Sequence, residues 1–156
     1  MKKISKNIQD KITSIGKPEK AKWLENYIKH DIKSKGVGIP EIREIIKEAN
    51  KEHQITEKSI SKQIELLDDL MNQKYTEDKL AAILYLQIFW KNQNEKQKID
   101  LISEWFDHNL ITDWNVCDWL CVRILSPIQG PWPGREEFPS DCIRKMQNTG
   151  KEEAVF

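Results

Sequence analysis

The feature that most constrains this chain is the stretch KSKGVGIPE, residues 33–41. Two glycines followed by a proline stop one helix and start another, because proline is tolerated in a helix only in its first turn. On either side the apolar residues recur at helical spacing and never alternate over a strand's length. Before the break, residues 19–31 place Ala21, Leu24, Tyr27 and Ile28 on one apolar stripe. After it, Pro40 is the expected first residue of a helix whose inner face is Ile42, Ile45 and Ile46.

The same pattern runs through the rest of the chain. Residues 3–14 form a first helix. Ile55-Thr56-Glu57 opens another that continues through Ile60, Ile64, Leu67 and Met71. Thr76 is the expected N-cap of the next helix, with Glu77 and Asp78 in a first turn that favours acids. That helix, LAAILYLQIFW at its centre, is the most apolar and is expected to be buried on most sides. Residues 95–107 carry Ile99, Leu101, Ile102 and Trp105 at helical spacing, and Thr112 or Asp113 caps the helix that follows. About seven helices result, so the expected fold is all-α, an α-solenoid of paired helices or a bundle. Residues 1–126 form this helical domain, and 127–156, with SPIQGPWPGREEFPSD, form an irregular Pro/Gly-rich tail.

The 156 residues suffice for one domain with a core, and 32% charged residues suit long exposed helix faces. The apolar run at 80–90 is too short for a membrane span, and the first residues lack the apolar segment of a signal peptide. Three cysteines without framework spacing point to free thiols in a reducing compartment, hence a cytoplasmic protein. The zero net charge is unevenly spread. Residues 1–35 hold ten lysines against four acids, while residues 100–156 hold ten acids against five basic groups. A basic N-terminal third suits one wall of a nucleic-acid groove, or simply a solvated lysine face.

Few chemistries survive inspection. His30, His53 and His108 are scattered, and Cys117 and Cys121 have no second pair, so the thiols are read as core and no metal site is expected. Gly36-Val37-Gly38 matches no nucleotide-binding fingerprint and is read as a turn. What remains is ITDWNVCDWLC, residues 111–121. Trp114 and Asp118 lie four apart, on one helix face. A ring face beside a carboxylate can hold a cation or a developing positive charge. The plain alternative is that Asp113 caps the helix, Trp114 and Trp119 pack on neighbours, and Asp118 is solvated.

Three blocks carry a resemblance to a known family. KGVGIPEIREIIKE, residues 35–48, resembles the GV-x-x-P-x-x-R opening segment of the AlkD-type DNA alkylation repair glycosylases. YTEDKLAAILYLQ, residues 75–87, is similar to their next conserved helix, and NLITDWNVCDWLC, residues 109–121, resembles their N-W-D-x-x-D helix. The blocks fall in family order over about residues 20–126. The resemblance implies HEAT-like antiparallel helix pairs whose basic concave face holds double-stranded DNA with alkylated bases. It implies release of N3- and N7-alkylated purines without a metal or cofactor, with Asp118 and Trp114 as the catalytic pair. Phosphate contacts fall on Lys33, Lys35 and Arg43, and the expected unit is a monomer.

One departure stands out. The family continues into a W-x-R-R type segment that supplies a cleft arginine, whereas here Trp132, Arg135 and Arg144 are spaced differently. The chain is therefore expected to be C-terminally truncated, with an open solenoid end through which it could associate. A glycosylase, a non-catalytic DNA-binding remnant and a protein-interaction module remain the alternatives from sequence.

Overall fold

The computed structural model describes residues 1–28 and 32–126. Within them the chain forms seven α-helices: α1 (Lys2–Ser14), α2 (Pro18–Tyr27), α3 (Ile39–His53), α4 (Ile60–Met71), α5 (Thr76–Phe89), α6 (Glu95–Asp107) and α7 (Trp114–Leu120). A 3-10 turn, Ile55–Glu57, precedes α4, and a π-helical turn, Cys121–Leu125, continues α7. The only extended pairing among the described residues is a single bridge between Lys33 and Tyr75. The fold is all-α, and its succession of packed helices is consistent with a helical solenoid. No helix among the described residues is long and apolar enough to cross a membrane.

Helix α5 is the axis of the core. It packs against α4, α3 and α7, and α1 lies across α3 and α4. Every residue from Thr76 to Leu86 is buried, so α5 shows no polar face. Ile8 and Ile12 of α1, Ile42 and Ile46 of α3, and Leu66, Leu67 and Leu70 of α4 close around it. Burying a side chain of this size contributes about 1.5–3 kcal/mol each. Two of the core's polar rings share one acceptor: the Gln63 side-chain oxygen accepts from the Tyr85 hydroxyl at 2.9 Å and the Trp90 indole at 2.8 Å.

The helix boundaries agree with the sequence pattern where local chemistry sets them. Gly36 turns the break at φ 73°, where a Cβ would lie 2.1 Å from the Lys17 carbonyl oxygen, so only glycine fits. Gly38 caps α3, with Ile39 and Pro40 as its first residues. Three expectations are corrected. Thr76 is not the cap of α5. It is the first helical residue after Tyr75, and its buried hydroxyl has no hydrogen-bond partner. Ile55-Thr56-Glu57 forms a separate 3-10 turn, after which the chain restarts at Ile60 behind Ser59. Tyr27 is not on a core stripe: α2 buries none of its residues, and Tyr27 is 60% exposed. The last residues of the expected second helix, 29–31, and the tail, 127–156, lie outside the described residues.

Candidate nucleic-acid interface

The site is built from the first turn of α5 outward. Glu77, Asp78 and Lys79 are three consecutive charged residues, and all are buried. Each holds a different part of the chain. Glu77 accepts from the Ser34 hydroxyl at 2.6 Å and from the backbone N–H groups of Lys35, Gly36 and Val37 at 2.9, 2.9 and 3.3 Å. One carboxylate thereby satisfies a loop whose amides would otherwise be buried without partners. Asp78 takes both of its oxygens to the Lys35 ammonium, at 2.7 and 2.9 Å. Burial still pushes the Asp78 carboxyl above the usual range, against the pull of Lys35. Lys79 turns the other way and donates to the carbonyls of Met71 and Leu110. Burial lowers its pKa, and Asp113 partly opposes that shift.

These anchors set both sides of an exposed aromatic surface. On one side, the loop held by Glu77 holds α2: Ser34 N–H donates to Glu25, and Lys17 N–H donates to the Lys35 carbonyl. On the other side, the Leu110 carbonyl fixed by Lys79 precedes α7. The turn before it bends at Asn109, with φ 53°. Asp113 then caps α7, its carboxylate accepting from Val116 N–H at 2.9 Å, as the sequence led one to expect. Val116 and Leu120 bury the inner face of α7, which leaves Trp114 and Asp118 outward.

Trp114 and Asp118 are both exposed, Trp114 by 55%. The sequence paired them, but not with what stands opposite. Tyr27 meets Trp114 edge-on, with ring centroids 5.9 Å apart and planes at 61°. Trp23, one turn earlier on α2, stacks on Tyr27 at 5.4 Å with planes only 8° apart. Trp23 and Tyr27 are thus functional candidates that sequence reasoning missed. The available signal was their four-residue spacing on a helix with few other apolar residues. Three large rings, each more than half exposed, form a continuous apolar patch, the kind of surface that marks a binding site.

The remaining candidates divide. Lys33 is exposed. Lys35 keeps its ammonium on Asp78 and lies 5.0 Å over the Tyr75 ring. Arg43 donates to the Gln87 side-chain oxygen at 3.4 Å, while its Nε is buried without a partner. The thiols of Cys117 and Cys121 are half-buried at the edge of the core rather than inside it. The hydrogen bond with Cys121, and then burial, push the Cys117 thiol up, so it is not the thiolate a nucleophile requires. Trp119, on another face of α7, carries Arg123 over its ring at 5.2 Å. Among the described residues no three His, Cys, Asp or Glu side chains converge on a point.

No curated protein and no solved structure matches the chain at a significant level. A family model does match, that of the DNA alkylation repair enzymes, over residues 8–136. The match spans every element that builds the aromatic patch, from α2 through α7, and most of the chain. This protein belongs to the DNA alkylation repair enzyme family.

Proposed function

We infer that the protein is a DNA glycosylase that releases cationic N3- or N7-alkylated purines from double-stranded DNA. Membership of the DNA alkylation repair family supports the substrate class. The observation that carries the chemistry is an exposed carboxylate, Asp118, one helical turn from an exposed indole, Trp114, itself met by Tyr27. An alkylated purine already carries positive charge, so it leaves with little help from an acid. The C1′–N bond breaks, its electron pair neutralises the departing base, and the sugar becomes an oxocarbenium-like cation. Asp118 stabilises that cation and orients the water whose oxygen bonds to C1′. The proton lost by the water passes to Asp118 or to solvent. Trp114 and Tyr27 hold the deoxyribose, with a ring face toward the sugar, where the quadrupole favours positive charge.

Affinity in this reading comes from phosphate contacts. Lys33, exposed beside the Glu77-held loop, is the first such contact. Lys35 shapes that loop through Asp78, and Arg43 acts from α3. The test is release of 7-methylguanine from alkylated duplex DNA by wild type and Asp118→Asn. Losing one electrostatic stabiliser lowers the rate by about 100-fold or more. Equal release by the two proteins would sink the glycosylase reading. Salt-dependent duplex binding without release would leave a DNA-binding protein in its place.

A further inference from the structure

We propose that the cavity at the C-terminal end of α5 is a binding site for a phosphate group. The cavity measures about 150 Å³ and shares no residue with the aromatic patch. Its polar lining is Gln87 of α5, Lys91 just after that helix, Lys98 of α6 and Arg123 of the π-helical turn, over a floor that includes Leu86 and Ile124. Three of those four polar groups are cations, and among the described residues no acidic side chain lines the cavity.

The first observation is Lys98, which is only 2% exposed. Its ammonium carries three donors but makes one hydrogen bond, to the Lys91 carbonyl at a long 3.3 Å. A buried charge is costly unless it is both paired and hydrogen-bonded. Among the described residues none of Lys91, Lys98 and Arg123 is in an ion pair. Burial lowers the Lys98 pKa, and Glu95 opposes that shift from outside the cavity lining. An anion in the cavity gives Lys98 the countercharge and the acceptors that the fold does not.

The second observation is where the other donors come from. Arg123 lies over the Trp119 ring at 5.2 Å, which restrains its guanidinium at the cavity edge. Gln87 accepts from Arg43 at 3.4 Å through its side-chain oxygen, which leaves its amino group as a donor. Donors therefore reach the cavity from three separate elements. A planar carboxylate takes hydrogen bonds mostly near one plane, whereas the tetrahedral oxygens of a phosphate take them from several directions. A dianion also comes closest to balancing three cations. The phosphate has two sources, a DNA strand or free phosphate in solution, and the site needs neither a lesion nor Asp118.

The experiment titrates the full chain with inorganic phosphate by calorimetry, at an ionic strength held constant with chloride. Wild type is expected to bind phosphate saturably, with sulfate competing. Arg123→Gln and Lys98→Met should each weaken phosphate about tenfold or more, as for loss of one charge-assisted hydrogen bond. Arg123→Lys keeps the charge but not the fork, and should lose less. Lys47→Gln, on α3 and paired with Glu44, should bind as wild type. Circular dichroism checks folding, and the exposed Arg123 decides the matter should Lys98→Met not fold.

A fully paired duplex then separates the sources. If phosphate displaces the duplex and Arg123→Gln weakens both, the site takes a backbone phosphate. If Arg123→Gln loses phosphate and keeps the duplex, the site takes free phosphate; both results support it. The proposal is overturned if wild type shows no saturable phosphate binding, if Arg123→Gln binds phosphate as tightly as wild type, or if Lys47→Gln loses as much as Arg123→Gln. The glycosylase reading fails separately, on Asp118→Asn.

Discussion

Tyr27 and Trp114 come from the second and the seventh helix of the described chain, yet their rings meet edge-on at 5.9 Å. Neither residue is part of the core, and the contact closes the gap between α2 and α7. Tyr27→Ala should weaken binding to DNA carrying an abasic-site analogue by about tenfold, since a base- or sugar-facing ring contributes on the order of 1–3 kcal/mol. Tyr27→Phe should stay within about twofold, because the wall needs the ring and not the hydroxyl. A titration with both variants checks this, and equal losses would show that the phenol oxygen matters instead.

Glu77 accepts from four donors of the 34–37 loop. Glu77→Ala strands those groups in a buried place, and should reduce stability by about 3 kcal/mol or more. That corresponds to a fall in melting temperature of roughly 6–12 °C for a chain this long. Glu77→Gln keeps an acceptor oxygen and should lose about half as much. Urea unfolding of the three proteins is the measurement.

Lys35 and Asp78 form a pair whose side chains are 8% and 1% exposed. Lys35→Met leaves a buried carboxylate without its cation, a loss of about 3–5 kcal/mol. The double variant Lys35→Met/Asp78→Leu should recover most of that loss, since an apolar pair of similar volume avoids the desolvation penalty. The pH dependence has a definite sign. Asp78 has its folded-state pKa raised above 3.8 by burial. Its contribution to stability is therefore fully present below that value and declines as pH rises through the raised value. In Lys35→Met the decline should extend to higher pH. Denaturation at a series of pH values from about 3.5 upward resolves both effects.

Lys79 carries the opposite ionisation. Burial lowers its pKa from 10.5, so the unfolded chain binds the extra proton. Stability should therefore rise as pH climbs through the lowered value toward 10.5. Lys79→Met removes that rise and also frees the Leu110 carbonyl ahead of α7. The expected outcome is a flatter stability profile at alkaline pH, up to 10.5, with slower 7-methylguanine release at unchanged Asp118. A profile as steep as wild type would assign the alkaline rise to another group.

Much of this molecule could be read from its residues in order. The break at KSKGVGIPE, the cap at Asp113 and the boundaries of α6 follow from chemistry within a few positions: a glycine with positive φ, a proline in a first turn, a carboxylate reaching Val116 N–H. The burial of α5 followed from its unbroken apolar run. Trp114 and Asp118 were recognisable as a pair because helical spacing alone puts them on one face. Where local rules compete, the reading slipped. Thr76 has a capping residue's chemistry, but the Lys33–Tyr75 pairing sets the start of α5 one residue earlier and leaves Thr76 inside the helix.

By itself, then, the sequence determined most of the helix boundaries, which helix is the most buried, and which face of α7 carries the carboxylate, since these depend on neighbours along the chain. Only the tertiary structure decided that Glu77, Asp78 and Lys79 point inward, that Lys35 turns from solvent to Asp78, and that Tyr27 leaves the core to meet Trp114. Those outcomes depend on partners far along the chain, as with Lys79 and Leu110 at a separation of 31 and Ser34 and Glu77 at 43. A charge in a first helical turn, or an aromatic on a stripe, looks the same in sequence whether it ends in water or against such a partner. Its environment is set by which helices pack together, and here α5 packs so closely that even its charged first turn is buried.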